Sequence, residues 1–146
     1  MAVVLTGCAA TADQTTTTAP APAAAPEGSR TEAISVDGAD LKVCVADSAS
    51  VRSQGLMGVE SLPDGVDGML FVFENASLRS FHMLDTRFTL DIWWFDADGH
   101  LIGSDEMEPC PEEPCPSHSS PDEVAWALET PLGDFDFPMG AILSTG

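Results

Sequence analysis

From residue 31 onward the chain is a succession of short runs rich in apolar, β-branched and aromatic residues, each soon broken by Gly, Pro, Asp or Asn. Thr31–Val36 and Leu41–Ala46 flank Asp37-Gly38-Ala39-Asp40, and Ile92–Phe95 and Leu101–Met107 flank Asp96-Ala97-Asp98-Gly99. Asp-Gly between strand-like runs signals a hairpin, because both residues tolerate the positive φ of a tight turn. Met69–Phe73, Arg79–Leu84, Val124–Leu128 and Ala141–Leu143 extend the series, with loop residues Leu62–Gly68 and a turn over Glu74–Leu78. The helical candidate is Ala49–Leu56, which follows the capping residues Asp47-Ser48 and precedes Gly58. About eight short strands and one short helix predict an all-β domain, a small β-sandwich or barrel. Internal repeats are not evident.

The start of the chain has another character. Residues 1–8 end in Leu5-Thr6-Gly7-Cys8, an apolar run with a small residue ahead of a thiol, which resembles a bacterial lipobox. Seven residues without Lys or Arg precede Cys8, whereas a full signal carries a basic region and an apolar run of roughly 7–15 residues. A truncated lipoprotein signal is therefore expected, with lipid on Cys8. Residues 9–30 are dominated by Thr, Ala and Pro, which cannot bury a core and suit a tether. Residues 31–146 form the single expected domain. The expected location is extracytoplasmic, anchored by lipid to a bacterial membrane, and soluble if the signal is not processed.

Charge limits the partners. The chain of 146 residues has 24 Asp and Glu against 5 Lys and Arg, a net charge of −19. Such a chain is repelled by phosphate backbones and by anionic lipid, so nucleic acid is excluded and the lipid anchor is the one membrane contact expected. The remaining partners are a small polar ligand or an envelope protein, with the chain itself monomeric.

Cysteine usage fits an exported protein. Cys110 and Cys115 sit in Glu108-Pro109-Cys110-Pro111-Glu112-Glu113-Pro114-Cys115-Pro116, a stiff loop in which a disulfide is the expected state outside the cytoplasm. The competing reading is a zinc site from Cys110, Cys115 and His118. Cys44 lies in the alternating run Leu41–Ala46 and reads as a buried free thiol.

Ordered motifs then point to a family. Gln54-Gly55-Leu56-Met57-Gly58, Gly68-Met69-Leu70-Phe71-Val72-Phe73 and Phe81-His82-Met83-Leu84-Asp85-Thr86 come first. Leu90-Asp91-Ile92, Phe95-Asp96-Ala97-Asp98-Gly99, a Pro-Cys-rich crossing and Ala127-Leu128-Glu129 follow. From Leu41 to near its end the chain resembles the family called domain of unknown function 192. The resemblance implies a small β-sandwich, often exported or lipid-anchored, and no assigned biochemical activity. The family usually has Arg where Gln54 stands, Trp-Met-Lys-Asn where His82-Met83-Leu84-Asp85 stands, and a late Gly-Asp where Gly140-Ala141 stands.

Candidate sites compete with ordinary structural roles. Asp85, Thr86 and Asp91, with His82 nearby, bracket the loop between two strands and form the best candidate for a small polar ligand. Asp85 with Asp91 is also the pair a hydrolase would use for acid–base work. Met57, Met69 and Met83 beside His82 offer soft ligands for Cu(I), and His118 is a further weak metal candidate. Strand alternation sends His82 and Met83 to opposite faces, so core packing is the expected role of Met83. Asp96-Ala97-Asp98-Gly99 is read as a turn, not a calcium loop, since Trp94 occupies the first ligand position. No Gly-x-Ser-x-Gly elbow, phosphate loop or His-Glu-x-x-His occurs. A non-catalytic binding or accessory module without a cofactor is the expected function.

Overall fold

Hairpin chemistry sets two of the strand pairs. In the computed structural model, which describes residues 29–145, β1 (Arg30–Val36) and β2 (Ala39–Ala46) pair antiparallel about Asp37 and Gly38. Both turn residues have positive φ, 51° and 86°. β5 (Leu90–Phe95) and β6 (Leu101–Met107) form the second expected hairpin. There the Asp96 carboxylate accepts from the backbone N–H groups of Asp98 and His100, each at 2.9 Å, and Gly99 takes φ 83°. The signal expected at residues 1–8 and the tether expected at 9–30, up to residue 28, lie outside the described residues.

The remaining elements are α1 (Ala49–Gln54), β3 (Gly68–Ser77), β4 (Ser80–Phe81), β7 (His118–Ser119), β8 (Val124–Pro131) and β9 (Leu143–Thr145). Seven strands form one sheet in the order β6-β5-β8-β3-β2-β1-β9, and β4 pairs with β7 in a small second sheet. The all-β expectation holds. One pairing is parallel, β2 with β3, because the chain between them crosses back through α1 and the loop after it. The two outer strands of the sheet are stitched at one end. Gly140 N–H donates to the Leu101 carbonyl, Leu101 N–H to Ala141, and Leu143 N–H to Gly99, at 2.8–2.9 Å. The sheet therefore curls toward closure, which removes open edges.

Both faces of the central strands are covered. One face packs Ile34, Val43, Leu70, Trp93, Phe95 and Leu128 inside the curl. The other packs Met69, Phe71, Ile92, Trp94 and Ala127 beneath α1, β4 and the 83–110 crossing. Gly68 is needed where β3 meets β8: a Cβ there would stand 2.2 Å from the Glu129 carbonyl oxygen. Its Cα partner is Val43 on β2, so β3 enters the sheet with close neighbours on both sides.

Cys110 and Cys115 are joined, with Cα atoms 5.8 Å apart, as the Pro-rich spacing predicts. With both sulfurs bonded, a zinc site using two thiolates and His118 has lost its ligands. Cys44, fully buried on β2, corrects the sequence reading: it is disulfide-bonded, not a free thiol.

Candidate functional site

Strand phase explains the most unusual residue of the core. Along β8, Ala127 and Glu129 face the α1 side while Leu128 faces the inside of the curl. Thr130 is also buried, and its hydroxyl takes the Trp93 indole N–H at 3.0 Å. Glu129 lies between Met69 of β3 and Ile92 of β5 in register, so its sheet neighbours are apolar. Only 4% of the residue is exposed. Burial alone pushes its carboxyl from the ordinary 4.5 up to about 8. The group is therefore mostly protonated at neutral pH. Among the described residues no side chain ion-pairs with it.

Above Glu129 is a cavity of about 380 Å³. Its floor is Phe71 with Glu129, one wall is α1 with Gln54–Met57, and the other is Phe73 with Arg79–His82 and Thr86. The α1 wall begins where the Ser48 hydroxyl accepts the Val51 N–H at 3.3 Å, and ends at Gly55, φ 52°. A Cβ on Gly55 would touch the Phe71 ring at 3.4 Å, so the helix closes directly on the floor. Phe81 stands edge-on to Phe71 and Trp94, with centroids 4.8 and 5.4 Å away, which fixes the opposite wall.

Two arginines reach this cavity. Arg52 on α1 donates to the Val72 carbonyl at 2.9 Å, and Arg79 donates to the Asn75 carbonyl at 2.9 Å. The Arg79 guanidinium also lies over the Phe73 ring, 4.1 Å from its centroid. Neither is ion-paired among the described residues, although the chain has 24 acids to choose from. Arg79 Nε is buried and has no hydrogen-bond partner among the described residues. The cavity therefore shows two unmet needs, a donor wanting an acceptor and a carboxyl wanting a partner.

The residues singled out from the sequence divide. Thr86, 5% exposed, and His82 line the cavity. His82 Nδ1 accepts the Leu84 N–H at 3.3 Å, which leaves its neutral-state proton on Nε2. Asp85 points elsewhere, held by Arg87 at 3.0 Å, and has φ 55°. Asp91 accepts the Gly133 N–H at 2.9 Å. Neither lines the cavity. Met83 is 1% exposed in the core and does not share a face with His82, while Met57 is on the cavity wall. His118 pairs with Asp105 at 2.9 Å. Asp96, Asp98 and His100 cluster at the β5–β6 turn, where the Asp96 carboxylate serves the turn itself.

Sequence reading missed Glu129, Arg52 and Arg79. A usable signal existed for each. Glu129 is an acid in phase with Ala127 inside a strand buried on both faces, and the arginines are two of five bases in an acidic chain.

The family of domain of unknown function 192, described as an uncharacterized ACR, matches residues 32–137. The chain belongs to this family. No curated protein matches it. Among solved structures it is similar to a putative transcription regulator from Sinorhizobium meliloti, at 25% identity and TM-score 0.71, covering 82% of this chain and 97% of that one. A protein of unknown function from Novosphingobium aromaticivorans is also similar, at 19% identity and TM-score 0.66, covering 86% and 94%. The latter likeness shows the fold. The family member described here places its matched motifs around the cavity: Gln54–Met57, Phe71, Phe81-His82, Thr86 and Glu129 all line it.

Proposed function

We propose that this domain is a non-catalytic binding module whose ligand is a small polar molecule seated in the cavity between α1, β3 and β8. The observation that carries this reading is the Glu129 carboxyl, buried without a partner among the described residues at the floor of an open cavity. A polar group left unsatisfied in a core costs stability, so its retention makes sense where a ligand supplies the missing bond. A volume of about 380 Å³ suits a metabolite and not a polymer. Hydrolysis by Asp85 and Asp91 has less support, because both carboxylates are engaged outside the cavity. Metal handling has less support too, since Met83 is core and the Cys110 and Cys115 thiols are consumed. The regulator role named for the Sinorhizobium protein does not suit a chain of net charge −19 if DNA contact is required.

The test is a thermal-shift screen of the ligand-free domain against separate pools of carboxylic acids, amines, amino acids and sugars. A pool that stabilises wild type and not Glu129→Gln or Arg79→Met supports the site. Equal stabilisation of all three proteins moves the ligand elsewhere.

Anchoring through Cys8 belongs to the same proposal, placing the module at a bacterial membrane surface. Mass spectrometry of the Cys8 peptide from native cells decides: a diacylglyceryl thioether supports the anchor, and a Cys8 that carries no lipid overturns it.

A further inference from the structure

Resting on the cavity as a ligand site, we infer that its ligand is a small zwitterion of the amino-acid class, with its ammonium on Glu129 and its carboxylate on Arg79 and Arg52. The cavity's two unmet needs are of opposite kind. Among the described residues Arg79 Nε is a buried donor without an acceptor, and Glu129 is a buried acid without an ion-pair partner. Each arginine spends one bond on a backbone carbonyl and leaves further N–H groups for an anion. A ligand carboxylate meets the first need and a ligand ammonium meets the second.

Net charge separates this class from its neighbours. A simple anion approaching a chain of −19 is repelled over its whole path, and gains nothing from Glu129 that a neutral group would not supply. A simple cation is attracted everywhere on the acidic surface and brings no acceptor to Arg79. A zwitterion approaches without net work and uses both poles. Five bases exist in the chain; among the described residues Lys42, Arg52 and Arg79 have no acidic partner, and both of these arginines are at this cavity.

Binding then has a proton signature. The charged and titratable groups around the cavity are Arg52 on α1, Arg79 and His82 on the 79–82 segment, and Glu129 itself. β3 and β5 present Met69, Phe71 and Ile92 to Glu129 or its surroundings, none of which titrates. The ligand ammonium stays protonated and the Glu129 proton leaves to solvent, so the pair forms as ammonium and carboxylate.

The experiment is titration calorimetry near pH 7, in two buffers of different ionisation enthalpy, with each of the twenty common amino acids. For each one that binds, its deaminated acid and its decarboxylated amine are titrated in parallel. The expected result is at least one amino acid bound with release approaching one proton, and at least tenfold weaker binding of both analogues. Glu129→Gln abolishes the release and Arg79→Met weakens binding tenfold or more, with near-ultraviolet circular dichroism showing both variants folded. Deaminated acids binding as well as amino acids, without proton release, overturn the zwitterion and leave the binding module standing. Failure of every acid, amine, amino acid and sugar pool to bind overturns both.

Discussion

Glu129 ties folding to pH in a way no other residue of the core does. Folding strips its carboxyl of water, so the native chain keeps that proton up to about pH 8, while the unfolded chain releases it near 4.5. Between those values the native state binds the extra proton, and rising pH therefore favours unfolding through this group. Its contribution is fully present below about pH 4.5 and is lost as pH climbs toward 8. Gln has nearly the same shape and cannot ionise. The advantage of Glu129→Gln over wild type in unfolding free energy should accordingly grow across the window, by roughly 4–5 kcal/mol in total at about 1.4 kcal/mol per pKa unit. Urea titrations of both ligand-free proteins at about pH 5, 6.5 and 8 measure it. A difference that stays constant over the three pH values refutes an uncompensated buried acid.

At the scale of elements, local chemistry was legible and long-range pairing was not. Asp37-Gly38 and Asp96–Gly99 announce their hairpins because turn geometry is decided within four residues. Ser48 announces α1 for the same reason, though the helix ends at Gln54, where the Gly55 turn onto Phe71 stops it. The parallel pairing of β2 with β3 depends on a crossover whose path no short pattern encodes. β7 is two residues long and exists only because Ser119 and His118 find Ser80 and Phe81. β8 continues past Leu128 to Pro131, since an acid that looks like a strand end is in fact an inward position. The candidate site suffered the same way. Thr86 and His82 were readable as polar residues in a strong motif, and they reach the cavity. Arg52, Arg79 and Glu129 come from α1, the β3–β4 turn and β8, and only the folded sheet brings them together. Asp85 and Asp91 are near in sequence to that motif, yet Arg87 and Gly133 hold them outside.

For the whole molecule the governing quantity is charge. Residues 30–146 hold 22 of the acids and all five bases, a net charge of −17 on one curled sheet. Arg30 and Arg87 each bridge two carboxylates, at exposed sites where such pairs contribute little. Most acids are therefore uncompensated, and folding draws them together. At low ionic strength their repulsion spans the domain, whereas at about 0.1 M salt the screening length falls to about 10 Å, shorter than the molecule. Added NaCl should consequently raise the melting temperature by about 5 °C between roughly 10 mM and 0.5 M, the shift that about 1 kcal/mol produces in a domain of this size. The rise should be steepest below about 0.1 M, where screening changes most. Differential scanning calorimetry at fixed pH measures both the size and the curvature. A melting temperature that is flat or falls with salt removes self-repulsion as the cost of this surface. It would also remove the repulsion that disfavours a simple anion at the cavity.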